Sequence, residues 1–251
     1  MPLSWLGSHA WAQAVLLNTV LVAPWLFLPP TVLTRWGWVH AWMLGVLLWG
    51  TLSWRGYLVV LVYFGVGSVV TKVGYGHKAA AGIAEKRGGA RGPENVWGSA
   101  AVGTLCALAT LVFPAWRGLW QLGFVGSFAA KLADTVSSEI GKAYGRTTIL
   151  LTTLQPVPRG TEGAVSLEGT LAGLAAGLVM ALVGYGLGLT AGAGVPICTL
   201  AALVANLLES WVGATWQTRY PWLTNEWVNV LNTLVAALFS MGLGLAWDRL
   251  M

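Results

Sequence analysis

The fold is decided by residues 119–142, which read LWQLGFVGSFAAKLADTVSSEIGK. The apolar run from Leu119 to Ala130 is typical of a membrane helix, and charged residues begin directly after it, at Lys131. Ionisable residues in such a position are costly and commonly mark a functional site. The alternative is a structural ion pair at the helix end, with Lys131 extending its ammonium group to the lipid headgroups. The stretch therefore predicts a membrane helix that ends in a binding site or in an anchoring ion pair.

Helical spacing places the charged residues of this stretch on different faces. Lys131, Asp134 and Ser138 fall at i, i+3 and i+7 and share one face, and Lys142 lies one turn beyond. Glu139 points well away from Asp134. A metal site that used both acids would therefore require the helix to break near Glu139.

The composition of the whole chain is that of a membrane protein. Only 9% of the 251 residues are charged and 56% are hydrophobic, and the mean hydropathy is +0.68. Apolar runs near the roughly 20 residues that cross a bilayer recur along the chain and leave no room for a soluble domain. The two cysteines, both within apolar runs, make neither a disulfide framework nor a metal motif. We expect one integral-membrane domain and no nucleic-acid partner.

The pattern predicts an all-α, polytopic membrane bundle of about eight transmembrane helices with two long polar connections. Its parts are N-terminal spans in residues 1–70, a catalytic core in 71–173 and C-terminal spans in 174–251. Residues 1–14 contain no Lys or Arg, so we expect neither a signal peptide nor a transit peptide. The predicted helices are Trp11–Leu28, Val39–Trp54, Tyr57–Val70, Gly98–Phe113, Leu119–Ala133, Leu171–Leu189, Val195–Trp211 and Trp227–Trp247.

The distribution of basic residues predicts the orientation, because inner loops carry an excess of Lys and Arg. With residues 71–97 inside, both termini lie outside and both long polar connections, 71–97 and 137–170, face the cytoplasm. We expect a bacterial plasma membrane or a thylakoid membrane. Three basic residues then lie outside, Arg55, Arg117 and Arg249, and ten lie inside: Arg35, Lys72, Lys78, Lys86, Arg87, Arg91, Lys142, Arg146, Arg159 and Arg219.

The first polar connection combines positive charge with glycines. From Lys72 to Arg91 it has five basic residues and one acid, and six glycines lie from Gly74 to Gly92. Lys, Arg and successive backbone amides form anion sites suited to phosphate. A loop that contacts anionic lipid would explain the charge as well, but it would not require the glycines.

The second polar connection carries a compact polar cluster at residues 158–170, PRGTEGAVSLEGT. Arg159 and the backbone amides suit phosphate, and Glu162 or Glu168 suits magnesium whose shell is completed by phosphate oxygens. The alternative is a turn before a helix, with Ser166 as the N-cap and Glu168 complementing the helix dipole. Binding is favoured, because a turn does not require Arg159, Glu162 and Glu168 together.

The last two spans carry further polar groups. Asn225, Asn229 and Asn232 share one helix face, where amides commonly hydrogen-bond between helices. Glu209 is harder to explain structurally, because a carboxylate in or near the bilayer is costly without a partner.

Three blocks of the sequence resemble the phytyl-phosphate kinase family of tocopherol and phylloquinone synthesis, found in cyanobacteria and plant plastids. They are residues 78–99, KAAAGIAEKRGGARGPENVWGS, residues 124–145, FVGSFAAKLADTVSSEIGKAYG, and residues 158–173, PRGTEGAVSLEGTLAG. A more distant similarity is to the CTP-dependent membrane kinases of phytol and dolichol, through Asp134, Gly141 and Gly145. Ala133 stands where those kinases usually have glycine.

The resemblance implies a membrane kinase that moves a phosphoryl group from a nucleoside triphosphate, expected to be CTP, to phytyl monophosphate with the help of Mg²⁺. The residues alone indicate only a membrane enzyme or carrier for a phosphorylated, lipid-like ligand. With the resemblance, the expected catalytic residues are Asp134, Lys131, Arg159 and Glu162, and the expected metal ligands are Asp134, Glu139, Glu162 and Glu168. The expected substrate-binding residues are Lys78, Lys86, Arg87, Arg91, Asn95, Ser138, Lys142, Gly160, Thr161, Ser166 and Asn229.

Two other functions remain open at the level of sequence. A CTP-dependent cytidylyltransferase would use the same phosphate and metal groups but release pyrophosphate and form a CDP-lipid. A transporter of phosphorylated isoprenoids would move its ligand without consuming nucleotide. The concentration of polar groups on one side of the membrane, without an evident internal repeat, argues against the transporter.

Overall fold

The computed structural model describes residues 8–29 and 31–250 and is predominantly helical. Two short strands, β1 (Thr148–Leu150) and β2 (Ala164–Ser166), pair antiparallel with Ile149 opposite Val165. The expected all-α membrane bundle is therefore confirmed. The helices are α1 (Ser8–Phe27), α2 (Arg35–Lys72), α3 (Tyr75–Ala80), α4 (Pro93–Val112), α5 (Arg117–Tyr144), α6 (Leu167–Gly186), α7 (Gly194–Val212) and α8 (Asn225–Leu250), with short turns of other helix types at Lys86–Gly89, Pro114–Trp116 and Gly213–Gln217.

Helix α2 is folded back on itself as a helical hairpin. A straight helix of its 38 residues would be about 57 Å long, yet the rings of Trp38 and Phe64 lie 6.5 Å apart. The reversal is at Ser53, whose φ of 58° is not helical. The two arms correspond to the predicted spans Val39–Trp54 and Tyr57–Val70.

The number of membrane crossings stays a prediction. Among the described residues, six helices are long and apolar enough to cross a bilayer, and α2 counts there as one. Helix α5 is not among those six, because charged side chains fill its second half. Counting α5 and both arms of α2 gives the eight segments that the sequence predicts.

Helix α5 is the central element of the bundle. Every residue from Leu122 to Ala133 is buried, and the helix contacts α2, α4, α6, α7 and α8. It continues without interruption to Tyr144, well beyond the predicted end at Ala133. The other helices therefore hold the charged second half of α5 in a fixed position.

Small residues let α6 approach α5 closely. Gly169, Gly173 and Gly177 repeat every four residues along one face of α6. A Cβ atom added at Gly173 would lie 2.8 Å from the carbonyl oxygen of Ala133, so no larger residue fits there. Small residues at such spacing commonly allow close helix packing in membranes. The contact brings the start of α6 beside the charged half of α5.

The polar connections meet at one end of the bundle. The backbone N–H of Thr34, before α2, donates to the carbonyl oxygen of Arg91 at 3.0 Å. Gly160 in the second polar connection packs against Ile83 in the first, and Gly163 packs against the end of α7. Both long connections therefore share one side, as the charge distribution predicts. The identity of that side stays a prediction.

Candidate active site

A polar cavity of about 540 Å³ opens where these connections and the helix ends meet. Residues from all three sequence blocks line this cavity, although the blocks are far apart in the chain. The predicted site residues that line the cavity are Arg87, Arg91, Asn95, Lys131, Asp134, Ser138, Glu139, Lys142, Arg159, Gly160, Thr161, Glu162, Ser166 and Asn229.

Lys131 is fixed at the centre of this cavity by two hydrogen bonds. Its Nζ donates to Oδ2 of Asp134 at 2.5 Å and to Oδ1 of Asn229 on α8 at 2.8 Å. The ion pair of Lys131 with Asp134 is thus present, but it lies within α5 and not at its end. Lys131 is only 5% exposed, however, so it does not extend to the headgroups. It is a buried positive charge that belongs to the site.

Glu209 places a second carboxylate beside Asp134. Both acids line the polar cavity, and the charge of Glu209 interacts with those of Asp134 and Lys131. Nδ2 of Asn232 donates to Oε2 of Glu209 at 2.5 Å. Two carboxylates so close repel each other unless a proton or a cation lies between them.

The paired carboxylates fit a magnesium ion that also binds phosphate. Mg²⁺ is commonly held by one or two carboxylates, with substrate phosphates and water completing its shell. No group of three or more Asp, Glu, His or Cys side chains able to hold a metal is present within residues 8–29 and 31–250. A metal here would therefore depend on oxygens of the substrate. Asp134 keeps its predicted position in the site, and Glu209 joins it although the sequence marked it only as a costly acid.

Glu139 and Lys78 form a buried ion pair away from Asp134. Because α5 is unbroken through Tyr144, Glu139 points to another face, where Nζ of Lys78 contacts its carboxylate. Lys78 also donates to the carbonyl oxygen of Thr71 at 3.0 Å. Each side chain neutralises the other, and the pair holds α3 against α5. Glu139 as a metal ligand and Lys78 as a phosphate ligand stay predictions, and the pairing favours a structural role for both.

Glu168 and Ser166 form the start of helix α6. Oγ of Ser166 accepts from the Gly169 N–H at 3.1 Å as an N-cap, and Oε1 of Glu168 accepts from the Arg146 N–H at 3.3 Å. Glu168 does not line the cavity. Its role as a metal ligand stays a prediction, and the contact of its carboxylate with the backbone that follows α5 favours a structural role.

The loop before β2 carries exposed polar groups to the cavity. Gly160 has φ of 82° and Gly163 has φ of 75°, and these left-handed positions give the loop its tight path. Nη1 of Arg159 donates to the carbonyl oxygen of Ala143 at 3.4 Å. Arg159 and Glu162 are both exposed, so they can reach a ligand that arrives from the aqueous phase.

The first polar connection contributes charge at the rim of the cavity. Nη2 of Arg87 donates to Oε1 of Glu94 at 2.5 Å and to Oδ1 of Asn95 at 3.0 Å. Lys142 lies 3.4 Å from Oε1 of Glu85. Exposed pairs of this kind are weak, so Arg87 and Lys142 can exchange them for phosphate. The side chain of Lys86 lies outside the described part of the structure.

The matched family model is described as integral membrane protein DUF92 and covers residues 18–237. The chain belongs to this family. All three sequence blocks that carried the family resemblance lie inside the matched region, and the recognition made from them is confirmed. The chain is thus an integral, multi-pass membrane protein.

Relatives of the chain occur in bacteria, plants and archaea. It is 59% identical over 234 residues to uncharacterized membrane protein sll0875 of Synechocystis sp., covering 93% of this chain and 91% of that protein. It is 45% identical over 240 residues to the chloroplastic protein VTE6 of Arabidopsis thaliana, covering 94% and 72%. It is 32% identical over 187 residues to membrane protein MJ0933 of Methanocaldococcus jannaschii, covering 74% and 75%. No solved structure matches the chain.

Proposed function

We propose that the protein is a membrane prenyl-phosphate kinase of tocopherol and phylloquinone synthesis. It transfers the terminal phosphoryl group of a nucleoside triphosphate, CTP, to phytyl monophosphate. The observation that carries this proposal is the polar cavity in which Lys131, Arg159, Asp134 and Glu209 surround space for phosphate at one end of an apolar bundle. The family resemblance of the three sequence blocks and the similarity to VTE6 support the acceptor and the pathway.

The reaction requires alignment and charge neutralisation rather than covalent help from the protein. An oxygen of the acceptor phosphate attacks the γ-phosphorus, the bond to the β,γ-bridging oxygen breaks, and the nucleoside diphosphate leaves. The acceptor oxygen is largely ionised at neutral pH, so no strong general base is needed. Lys131 supplies a buried positive charge held in place by Asn229. Arg159 and Arg87 approach from the exposed rim to hold the phosphates of the donor.

The carboxylate pair has a defined part in this proposal. Bound Mg²⁺ would neutralise charge on the donor phosphates. Asp134 and Glu209 would hold it, and Glu162 on the exposed loop is a further carboxylate of the same cavity. Lys131 and Asn232 orient the two carboxylates through the hydrogen bonds described above.

Product analysis with the purified protein in lipid tests this function. Incubation with CTP, Mg²⁺ and phytyl monophosphate should give CDP and phytyl diphosphate. Pyrophosphate and a CDP-lipid would instead identify a cytidylyltransferase, and protein-dependent flux in vesicles without nucleotide consumption would identify a transporter. Parallel reactions with ATP, UTP and GTP, and with geranylgeranyl monophosphate, define the donor and the acceptor.

A further inference from the structure

A second cavity, almost entirely apolar, lies beside the polar one. It has a volume of about 330 Å³, and its walls are formed mainly by α1, α2 and α4. Leu44 and Ala100 form part of its buried wall. Leu21, Trp25 and Leu61 also line it and are exposed on the outer surface of their helices. The cavity is therefore open sideways, on the surface that faces lipid in a bundle of this kind.

The two cavities meet at four residues that line both of them, namely Tyr63, Arg91, Asn95 and Ser99. The guanidinium carbon of Arg91 lies 5.5 Å from the centre of the Tyr63 ring and 5.8 Å from that of Phe64. Nη1 of Arg91 is buried and has no hydrogen-bond partner among the described residues. An unsatisfied, buried N–H of a charged group is costly, so its position at the junction points to an anionic ligand.

The backbone holds Arg91 at this junction independently of any acidic partner. The N–H of Arg91 donates to the carbonyl oxygen of Val32 at 2.9 Å, and its own carbonyl oxygen accepts from Thr34 at 3.0 Å. Gly37 lies so close to the Arg91 carbonyl oxygen that a side chain there would collide with it. The connection before α2 thus fixes the backbone of Arg91, and its charge remains available to an anion.

We propose that the apolar cavity holds the hydrocarbon tail of the prenyl monophosphate acceptor and that Arg91 binds its phosphate at the junction. This inference rests on the proposed function, for which it supplies the acceptor's binding site. The occupant follows from continuity and charge: one ligand with an apolar tail and an anionic head fills both sides of the junction. Held in this way, the acceptor phosphate faces Lys131 and Asp134 in the polar cavity, while the donor enters from the exposed rim.

The end of the apolar cavity that lies away from Arg91 limits the length of the tail. The hydroxyl of Tyr57 donates to Oδ1 of Asn18 at 3.0 Å, and Nδ2 of Asn18 donates to the Ala14 carbonyl oxygen at 2.8 Å. The first of these hydrogen bonds joins α1 to α2 beside Gly45, where the helices are in close contact, and the second lies within α1. The protein therefore selects its acceptor by how far the tail reaches toward Asn18.

Filling the cavity tests the assignment through the separate KM values of acceptor and donor. Ala41 lines the cavity, whereas Met43 on the same helix is exposed and does not. We expect Ala41→Phe to raise the KM for phytyl monophosphate about tenfold or more, because several buried methylene groups lose their place. The KM for shorter geranyl monophosphate should rise as well, because Ala41 lies one helical turn from Gly37, which contacts Arg91, so that a short tail also passes it. The KM for CTP should change less than about twofold, and Met43→Phe should leave all three unchanged. An unchanged KM for both acceptors in Ala41→Phe, or an equal rise in the KM for CTP, would overturn the proposal.

The charge at the junction has its own test. Arg91→Gln should raise the KM for both acceptors and leave the KM for CTP unchanged, and Arg91→Lys should restore acceptor binding in part. A rise in the KM for CTP alone would place Arg91 with the donor and contradict the proposal.

A binding measurement separates this inference from the proposed function. A phytyl monophosphate analogue with a photoreactive diazirine on its tail should label α1, α2 and α4 around the cavity. Unlabelled phytyl monophosphate should compete, and phosphatidylglycerol should not. Labelling of the cavity without kinase activity would support the acceptor site and reject the kinase. Kinase activity with labelling elsewhere, or equal competition by phosphatidylglycerol, would reject the acceptor site.

Discussion

The centre of the site is defined by the charges of three side chains. Lys131 is one buried positive charge beside two carboxylates, those of Asp134 and Glu209. These three groups carry one net negative charge; the Lys131 side chain is buried, and both carboxylates are partly buried in the wall of the polar cavity. Such an arrangement is costly by itself, and a bound cation would remove the cost.

Asp134→Asn should lower kcat by roughly 100-fold or more, because the carboxylate pair loses the member that also orients Lys131. Folding should be retained, since Glu209 still balances Lys131. Turnover of the purified variant and its thermal unfolding measure the two effects. The matched control is Asp248→Asn, an exposed acid in the last turn of α8, which should leave both unchanged. Wild-type turnover in a folded Asp134→Asn protein would contradict the proposed role of the pair.

Glu139→Gln should act on stability first. Removing one member of a buried ion pair typically costs about 3–5 kcal/mol, and the Lys78 ammonium group would remain buried without its partner. The double variant Lys78→Met, Glu139→Leu should recover most of this loss, because two apolar groups can replace the pair. Denaturant unfolding measures both. Lost activity with unchanged stability in Glu139→Gln would instead indicate a role for Glu139 in metal binding.

Helical spacing in the sequence was sufficient to predict how neighbouring residues share a face, but not which distant residues meet them. The common face of Lys131 and Asp134 follows from their spacing of three residues, and the orientation of Glu139 away from Asp134 follows from a spacing of five. Glu209 and Lys78 reach α5 from other elements, so only tertiary packing decides which acid joins Asp134 and which lysine pairs with Glu139.

At the level of elements, the long apolar helices could be predicted and the short ones could not. The two arms of α2 follow the predicted spans because each arm has its own apolar run. Helix α3 and the β1–β2 pair have only a few residues each and no apolar repeat long enough to recognise. They are nevertheless the elements that place Lys78, Arg159 and Glu162.

Gly173→Leu should separate α6 from α5 and lower both stability and activity. A side chain at this position meets the Ala133 backbone directly, and overpacking of a tight contact typically costs about 1–3 kcal/mol. The control on the same helix is Gly186→Leu, since a Cβ at Gly186 has nothing within 4 Å. Thermal unfolding and turnover of the two variants should differ. Equal behaviour would show that the close α5–α6 contact does not hold the site together.

For the whole molecule, the positive residues predict an orientation that labelling can measure. Thr152 lies in the connection between the strands, Trp116 lies at the opposite end of the bundle, and both are exposed. With Cys106 and Cys198 replaced by Ser, Trp116→Cys should react with a membrane-impermeant maleimide on intact cells or right-side-out vesicles. Thr152→Cys should react only after permeabilisation. The reverse pattern would place the polar cavity outside, and reaction of both from one side would contradict the arrangement of the helices.

The lateral opening of the apolar cavity between α1 and α2 has a consequence for kinetics in membranes. A ligand that enters at Leu21 and Leu61 arrives by diffusion in two dimensions and need not cross the aqueous phase. Turnover should therefore follow the mole fraction of acceptor in the bilayer rather than its amount per volume. Adding inert lipid at constant bulk acceptor and protein concentration dilutes the acceptor in the surface, and it should slow the reaction even though no aqueous concentration has changed.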